Sequence, residues 1–430
     1  MNYYSTKQQS PTVDFKEATL RGQAPDKGLY FPAQLPSLPI DFLKNISRLS
    51  KEEVCFTVIQ PYVGDSIPVN QLKKIIEETI DFDFPLKMIK DDVFSLELFH
   101  GPTLAFKDVG AGFMSRCLGY FAKSVQKEIT VLVATSGDTG GAVAAGFAGV
   151  EGVKVIILYP SGKVSAVQEL QLTTWGGNIH AYEVDGNFDD CQRLVKQAFA
   201  DKDLQEKIFL TSANSINVAR WLPQQFYYFF AWQQWPYKDA PPVISVPSGN
   251  FGNICAGLLA MKSGLPVNHF IAACNSNKVV PDYMETENYQ PQKAKATISN
   301  AMDVGDPSNF VRILEIFHQQ FGDLKKVMSS FSISDDETAF TIKNVHEQYG
   351  YLLDPHGAVG YAALEKYLTR HTEEKGMLLE TAHPIKFDNV MERILGTSLP
   401  LPANIESLYQ KTKNSIKIEA DYKCLREVLG

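Results

Sequence analysis

From Ile129 onward the chain repeats one pattern: an apolar run of four to seven residues, a turn of small residues, then a stretch with helical spacing. The runs are ITVLVA, VKVIILY, NIHAYEV, KIFL, PVISVP and HFIAAC. They are nearly continuous in Val, Ile and Leu instead of alternating with polar residues, which suits strands covered by helices on both faces. Strands that alternate with helices read as βαβ units, so an α/β fold with mostly parallel sheets flanked by helices is expected. Two helix starts are legible. Ser165 precedes AVQELQL and Asn187 precedes FDDCQRLVKQAFA, each offering a side-chain oxygen to unpaired backbone amides. Beyond about Ser334, SDDETAFTIKNVHEQYG and DPHGAVGYAALEKYL read as helices split by a turn, followed by a strand-like GMLLETA.

The opening 85 or so residues differ. Turn punctuation (PAQLPSLP) mixes with short amphipathic pieces, such as the one carrying Leu72, Ile75, Ile76 and Ile80, and this reads as an N-terminal helical cap. A length of 430 residues fits two or three domains of roughly 150 residues each. No low-complexity linker divides the chain, so the pattern leaves open whether a small domain is inserted in a larger one or follows it.

Composition narrows the function. With 44% hydrophobic and 21% charged residues, disorder and fibrous repeats are excluded. The net charge of −8, without basic runs, gives no footprint for nucleic acid or for an anionic membrane surface. The first residues lack a basic start and an apolar stretch, and the run FYYFFAW is far short of a membrane span, so a cytoplasmic protein is expected. None of the six cysteines forms a Cys-x-x-Cys pair; reduced thiols and no metal site are expected. Gly-x-Gly-x-x-Gly, the P-loop, His-Glu-x-x-His and Gly-x-Ser-x-Gly are all absent, removing dinucleotide, nucleotide, zinc-peptidase and serine-hydrolase readings.

Two glycine turns remain. Ser136-Gly137-Asp138-Thr139-Gly140 and Ser248-Gly249-Asn250-Phe251-Gly252 each follow a strand-like run and open a helix. Such a turn exposes backbone N–H groups at the positive end of a helix dipole and can hold a phosphate or carboxylate; it can equally be a tight turn that needs glycine. Their similarity reads either as two half-units facing one cleft or as chance likeness between turns. Lys107 sits after Leu104-Ala105-Phe106 and ahead of a stretch of small and aromatic residues. Burial there would lower its proton affinity toward what imine formation requires, whereas a lysine reaching the surface beside Asp108 is the plainer alternative.

Eight ordered segments resemble the threonine synthase family, pyridoxal-phosphate enzymes of the tryptophan-synthase-β fold group (fold type II). They are GLYFPAQLP, HGPTLAFKDVG, ATSGDTGGAVAAGF, LYPSGKVSAVQELQ, SANSINVARWLPQ, VPSGNFGN, DVGDPSNFVR and ETAHPIKF. The resemblance implies that Lys107 forms the Schiff base with pyridoxal 5′-phosphate. It implies that Gly249, Asn250, Phe251, Gly252 and Asn253 hold the cofactor phosphate through their amides. Asp138 stands where distant relatives carry an Asn facing the cofactor's 3′ oxygen, which leaves its protonation open. Ser136, Gly137 and Thr139 would receive the substrate carboxylate, and Thr381 would hydrogen-bond the pyridine nitrogen. For the substrate phosphate the candidates are Lys163, Asn217 and Arg220, with Ser161 and Asn214 behind them.

The implied reaction converts O-phospho-L-homoserine and water to L-threonine and phosphate by γ-elimination and β-addition. The rivals are a serine/threonine dehydratase, a phosphoserine-using lyase, and a non-catalytic relative that binds a phosphorylated amino acid. The expected division is an N-terminal cap over 1–85, a large cofactor domain over 86–115 and 221–430, and a small inserted α/β domain over 116–220.

Overall fold

The computed structural model describes residues 1–125 and 127–430. Its strands in chain order are β1 (Asn2–Ser5), β2 (Val13–Asp14), β3 (Tyr30–Pro32), β4 (Leu86–Lys90), β5 (Val93–Glu97), β6 (Ile129–Ala134) and β7 (Val153–Pro160). They continue with β8 (Ile179–Asp185), β9 (Phe209–Thr211), β10 (Val243–Pro247), β11 (His269–Cys274), β12 (Met328–Ser332), β13 (Gly376–Glu380) and β14 (Ser415–Glu419). A six-stranded sheet runs in the order β12-β11-β10-β13-β5-β4 and a five-stranded sheet in the order β14-β8-β7-β6-β9. Every pairing in these two sheets is parallel except β4 with β5.

Five of the six expected apolar runs are strands over nearly their whole length, while KIFL enters one only at Phe209 and Leu210, after a helix that ends at Lys207; β6, β10 and β13 are buried throughout. Their unbroken hydrophobicity follows from that burial, because helices cover both faces of a parallel sheet. Ser165 and Asn187 cap their helices as expected, each within a capping box completed by Gln168 and Asp190. The aromatic helix Phe226–Gln234 is buried from Phe226 through Trp232. Each buried Phe there stabilises the fold by about 1.5–3 kcal/mol relative to exposure. The same apolar core takes in Tyr3, Phe15 and Ile59 of the N-terminal segment together with Val131 of β6 and Val246 of β10, so the cap and both large sheets share it.

Four details differ from expectation. The N-terminal region is helical at Phe15–Arg21, Ile40–Asn45, Lys51–Val63 and Val69–Glu77, but it also carries an antiparallel sheet, β2-β1-β3. Strands of two to four residues are too short for any periodicity to reveal. The β4–β5 hairpin turns at Asp92, whose φ of 64° is left-handed. The strand β12 is largely Ser, a composition that does not announce a strand. Finally, β14 pairs with β8, so Ser415–Glu419, expected with the large domain, belongs to the five-stranded sheet.

The topology places the candidate residues together. In parallel α/β sheets, ligands bind beyond the carboxyl ends of the strands. Lys107 follows β5, Ser136–Thr139 follow β6, Ser161 and Lys163 follow β7, Asn214–Arg220 follow β9, Gly249–Asn253 follow β10, and Thr381 follows β13.

Candidate active site

Lys107 is the first residue of the helix Lys107–Ala122. Its side chain is 17% exposed, and Nζ lies 3.6 Å from Asp138 Oδ2. It does not reach out to solvent. Burial is the main cause that pulls its proton affinity below that of an ordinary lysine; Asp138 opposes this, while Lys386 and Arg220 add to it. The helix comes close beneath the site because Gly110 has no side chain: a Cβ there would lie 2.5 Å from the Arg220 carbonyl oxygen. Asp108, beside Lys107, is turned away from it and accepts from the Thr103 amide at 2.9 Å and from the Thr103 hydroxyl.

Asp138 is the first residue of the helix Asp138–Phe147. The turn before it has Gly137 at φ 135°, where a Cβ would lie 2.4 Å from the Gln168 side chain, so glycine is required by both conformation and space. Thr135 Oγ1 accepts from the Gly137 and Gly140 amides, each at 2.9 Å. Burial raises the Asp138 carboxyl, but Lys386 and Lys107, with a hydrogen bond from Gln168, outweigh it and hold the group well below the usual carboxylate range. Ser136 and Thr139 flank it, half-buried.

The second turn precedes the helix Gly252–Lys262, with Phe251 in the left-handed region at φ 61°. A Cβ on Gly249 would lie 2.6 Å from Met302 Cα. Asn250 fixes the loop: Nδ2 donates to Ser215 Oγ at 2.8 Å, and Oδ1 accepts from the Ser308 amide and hydroxyl, each at 2.8 Å. Asn253 Oδ1 accepts from Tyr227 and Tyr228 at 2.8 and 2.7 Å, while its Nδ2 is buried without a partner. Among the described residues, none of the amides of 249–253 donates a hydrogen bond within the protein. A row of unpaired donors at a helix N-terminus matches the needs of a cofactor phosphate.

Thr381 joins this loop cluster through its backbone, since its carbonyl accepts from the Phe106 amide at 2.9 Å. An isolated antiparallel bridge between Ala105 and Ala382 adds to the link. Arg220 sits directly beneath Lys107, its Nη1 donating to the Lys107 carbonyl at 3.2 Å. Its side chain is buried with Nε unpaired, and burial lowers it to about 10, so it stays cationic at neutral pH.

The remaining substrate-phosphate candidates are not held in the same way. Lys163 is exposed. Asn217 caps the short helix Val218–Trp221, and its amide is committed to Thr19 O at 2.8 Å, Ser212 O and Ala219 N. Ser161 donates to Glu183 at 2.6 Å, and Asn214 is half-buried in the turn whose carbonyl receives the Asn217 amide.

Sequence reasoning missed Lys386. It lies in the quoted ETAHPIKF segment, has no exposed side-chain surface, and reaches within 3.2 Å of Asp138 Oδ1. A lysine amid His, Pro, Ile and Phe was the available signal. Gln168 was also missed, although its place three residues after Ser165 marks a capping box; its amide nitrogen donates to Asp138 Oδ1 at 2.9 Å.

Comparison with known proteins decides the family. The family described as "Pyridoxal-phosphate dependent enzyme" matches residues 86–379, "Threonine synthase N terminus" matches 2–80, and "Threonine synthase, C-terminal" matches 357–429. The threonine synthase of Haemophilus influenzae is 43% identical across all of this chain and 99% of its own. The chain belongs to the threonine synthase family. The threonine synthase of Serratia marcescens is 42% identical over the same shares. The crystal structure of threonine synthase from Escherichia coli superposes with a TM-score of 0.92 at 41% identity, covering 100% of this chain and 99% of that one. A pyridoxal-phosphate-bound threonine synthase from Brucella melitensis gives 0.94 at 34%, covering 100% and 98%. As a threonine synthase family member, the chain is a pyridoxal-phosphate-dependent lyase acting on a small molecule. Among the described residues no helix is long and apolar enough to cross a membrane, and no three or more His, Cys, Asp or Glu side chains are grouped so as to hold a metal ion.

Proposed function

We propose that the cleft bounded by Lys107, Asp138, Arg220 and the 249–253 loop converts O-phospho-L-homoserine and water to L-threonine and phosphate. The observation that carries this reading is Lys107 itself: a largely buried amine at a helix start, with reduced proton affinity, facing a carboxylate 3.6 Å away. When bound, pyridoxal phosphate supplies an electron sink that makes the substrate's α and β protons acidic.

The chain's own residues have distinct tasks in this reading. The 249–253 amides, with Asn253 Nδ2, would hold the cofactor phosphate, the Thr381 hydroxyl would serve the ring nitrogen, and the Asp138 carboxylate would serve the 3′ oxygen. Lys107, once its amine is free, takes the proton from the substrate's α carbon and returns protons along the carbon skeleton. The net change breaks the γ carbon–oxygen bond, releasing phosphate, and one β carbon–hydrogen bond; a hydrogen is put on the γ carbon, and water's hydroxyl joins the β carbon while its remaining proton leaves with the phosphate. Arg220 is the preferred holder of the substrate phosphate, because its buried guanidinium has an unpaired Nε and a fork suited to phosphate oxygens. Lys163, exposed after β7, is retained as an outer contact, whereas the committed amide of Asn217 fits a supporting role for the Arg220 turn. Ser136, Gly137 and Thr139 are assigned to the substrate carboxylate at the amide-rich start of the helix Asp138–Phe147. Six unpaired cysteines, five of them buried, support a reducing, cytoplasmic setting.

The test is a phosphate-release assay with O-phospho-L-homoserine in which the co-product is identified. Threonine in equal amount to phosphate supports the reading. Activity with serine, threonine or phosphoserine and none with phosphohomoserine would replace it by one of the rival lyases.

A further inference from the structure

Lys386 lies in the turn Pro384–Phe387 with its side chain wholly shut off from solvent. An ammonium removed from water costs several kcal/mol unless its donors are met. Here all three are placed: Nζ is 2.7 Å from Thr103 O, 2.7 Å from Gln171 Oε1 and 3.2 Å from Asp138 Oδ1. Asp138 thus stands between two ammonium groups, Lys386 on Oδ1 and Lys107 on Oδ2.

We propose that Lys386 is a positioning residue for Lys107: through Oδ1 it holds the Asp138 carboxylate as a fixed anion whose Oδ2 faces the Lys107 amine. This rests on Lys107 being the reactive amine. The other charged groups around the pair support the assignment. Arg220 approaches Lys107 from the helix Val218–Trp221, Asp108 faces both Lys386 and Arg220, and His356 faces Asp138 from the helix Pro355–Leu368. Lys386 and Arg220 favour the neutral amine of Lys107, and Asp138 opposes them. Without Lys386, Asp138 would pair with Lys107 alone, and Lys107 would keep its proton to higher pH.

The experiment is competitive acetylation of Lys107 by acetic anhydride across pH, read by peptide mass spectrometry, on the full-length enzyme freed of cofactor. Circular dichroism checks that each variant is folded. Lys386→Met is expected to raise the apparent pKa of Lys107 by about one unit, lowering its labelling about ten-fold at neutral pH. Lys386→Arg should restore the parent profile. Gln171→Glu, which offers Lys386 a rival carboxylate, should move the profile in the same direction as Lys386→Met and serves if that variant does not fold. In an Asp138→Asn background the effect of either substitution should shrink by half or more. An unchanged profile in the variants, or a shift of equal size with and without Asp138, overturns the proposal. Failure of the functional reading is seen separately, as borohydride not fixing the cofactor to Lys107 in the parent enzyme.

Discussion

Asp354 Oδ1 lies 2.5 Å from His356 Nδ1, with both side chains buried. Asp354 also accepts from the His356 and Gly357 amides, capping the helix Pro355–Leu368. His356 Nε2 in turn accepts from the Ala301 amide at 3.2 Å, which fixes Nδ1 as the protonated nitrogen. Ala301 and Met302 are the backbone against which Gly249 packs. The pair therefore braces the wall behind the loop assigned to the cofactor phosphate.

Asp354→Ala should remove the cap and leave His356 Nδ1 without an acceptor. Losing a cap alone costs about 1–2 kcal/mol, and an unpaired buried donor adds to it. A urea titration is expected to show a lower midpoint for Asp354→Ala than for Asp354→Asn, which keeps one capping oxygen. Equal midpoints would deny the carboxylate its bracing role.

Gly249→Ala tests the loop from the other side. Its Cβ would sit 2.6 Å from Met302 Cα, closer than backbone can tolerate, so the loop or the 301–302 segment must move. Cofactor should dissociate faster, followed by loss of visible absorbance on dilution, with far-UV circular dichroism unchanged.

Arg220→Ala should raise KM for phosphohomoserine by one to two orders of magnitude, on the order expected for a lost charge-assisted contact. Cofactor affinity should change much less. Asn217→Ala should instead lower stability, since its amide is committed to the fold. If Arg220→Ala binds the substrate normally, the phosphate lies elsewhere.

Much of this arrangement could be read from the residues. Buried parallel strands announce themselves as unbroken apolar runs, and Ser165 and Asn187 as caps, because those signals are local. The strands β12 and β14 did not, since their pairing partners lie far along the chain and their own residues are polar. At the site, Lys107, Asp138 and the 249–253 loop stood out through glycine turns and family motifs. Lys386 and the Asp354–His356 pair did not, because what marks them is three-dimensional: an ammonium with three acceptors from separate segments, and an imidazole between an aspartate and a distant amide.

Acid sensitivity follows from two histidines. Burial pushes His269 and His383 down to about 4, against about 6.5 for an unfolded chain. Between those values the unfolded state binds more protons, so stability is fully present above about pH 6.5 and is lost as pH falls toward 4. Denaturation midpoints measured across that range should decline, and His269→Gln should flatten the decline. A slope unaffected by the substitution would place the linkage in other groups.

Borohydride reduction of the holoenzyme, followed by proteolysis and mass spectrometry, tests the central claim most directly. The expected result is a pyridoxyl adduct on the peptide carrying Lys107 and on no other lysine. An adduct on Lys386 or any different residue, or no adduct in enzyme saturated with the cofactor, would contradict the account.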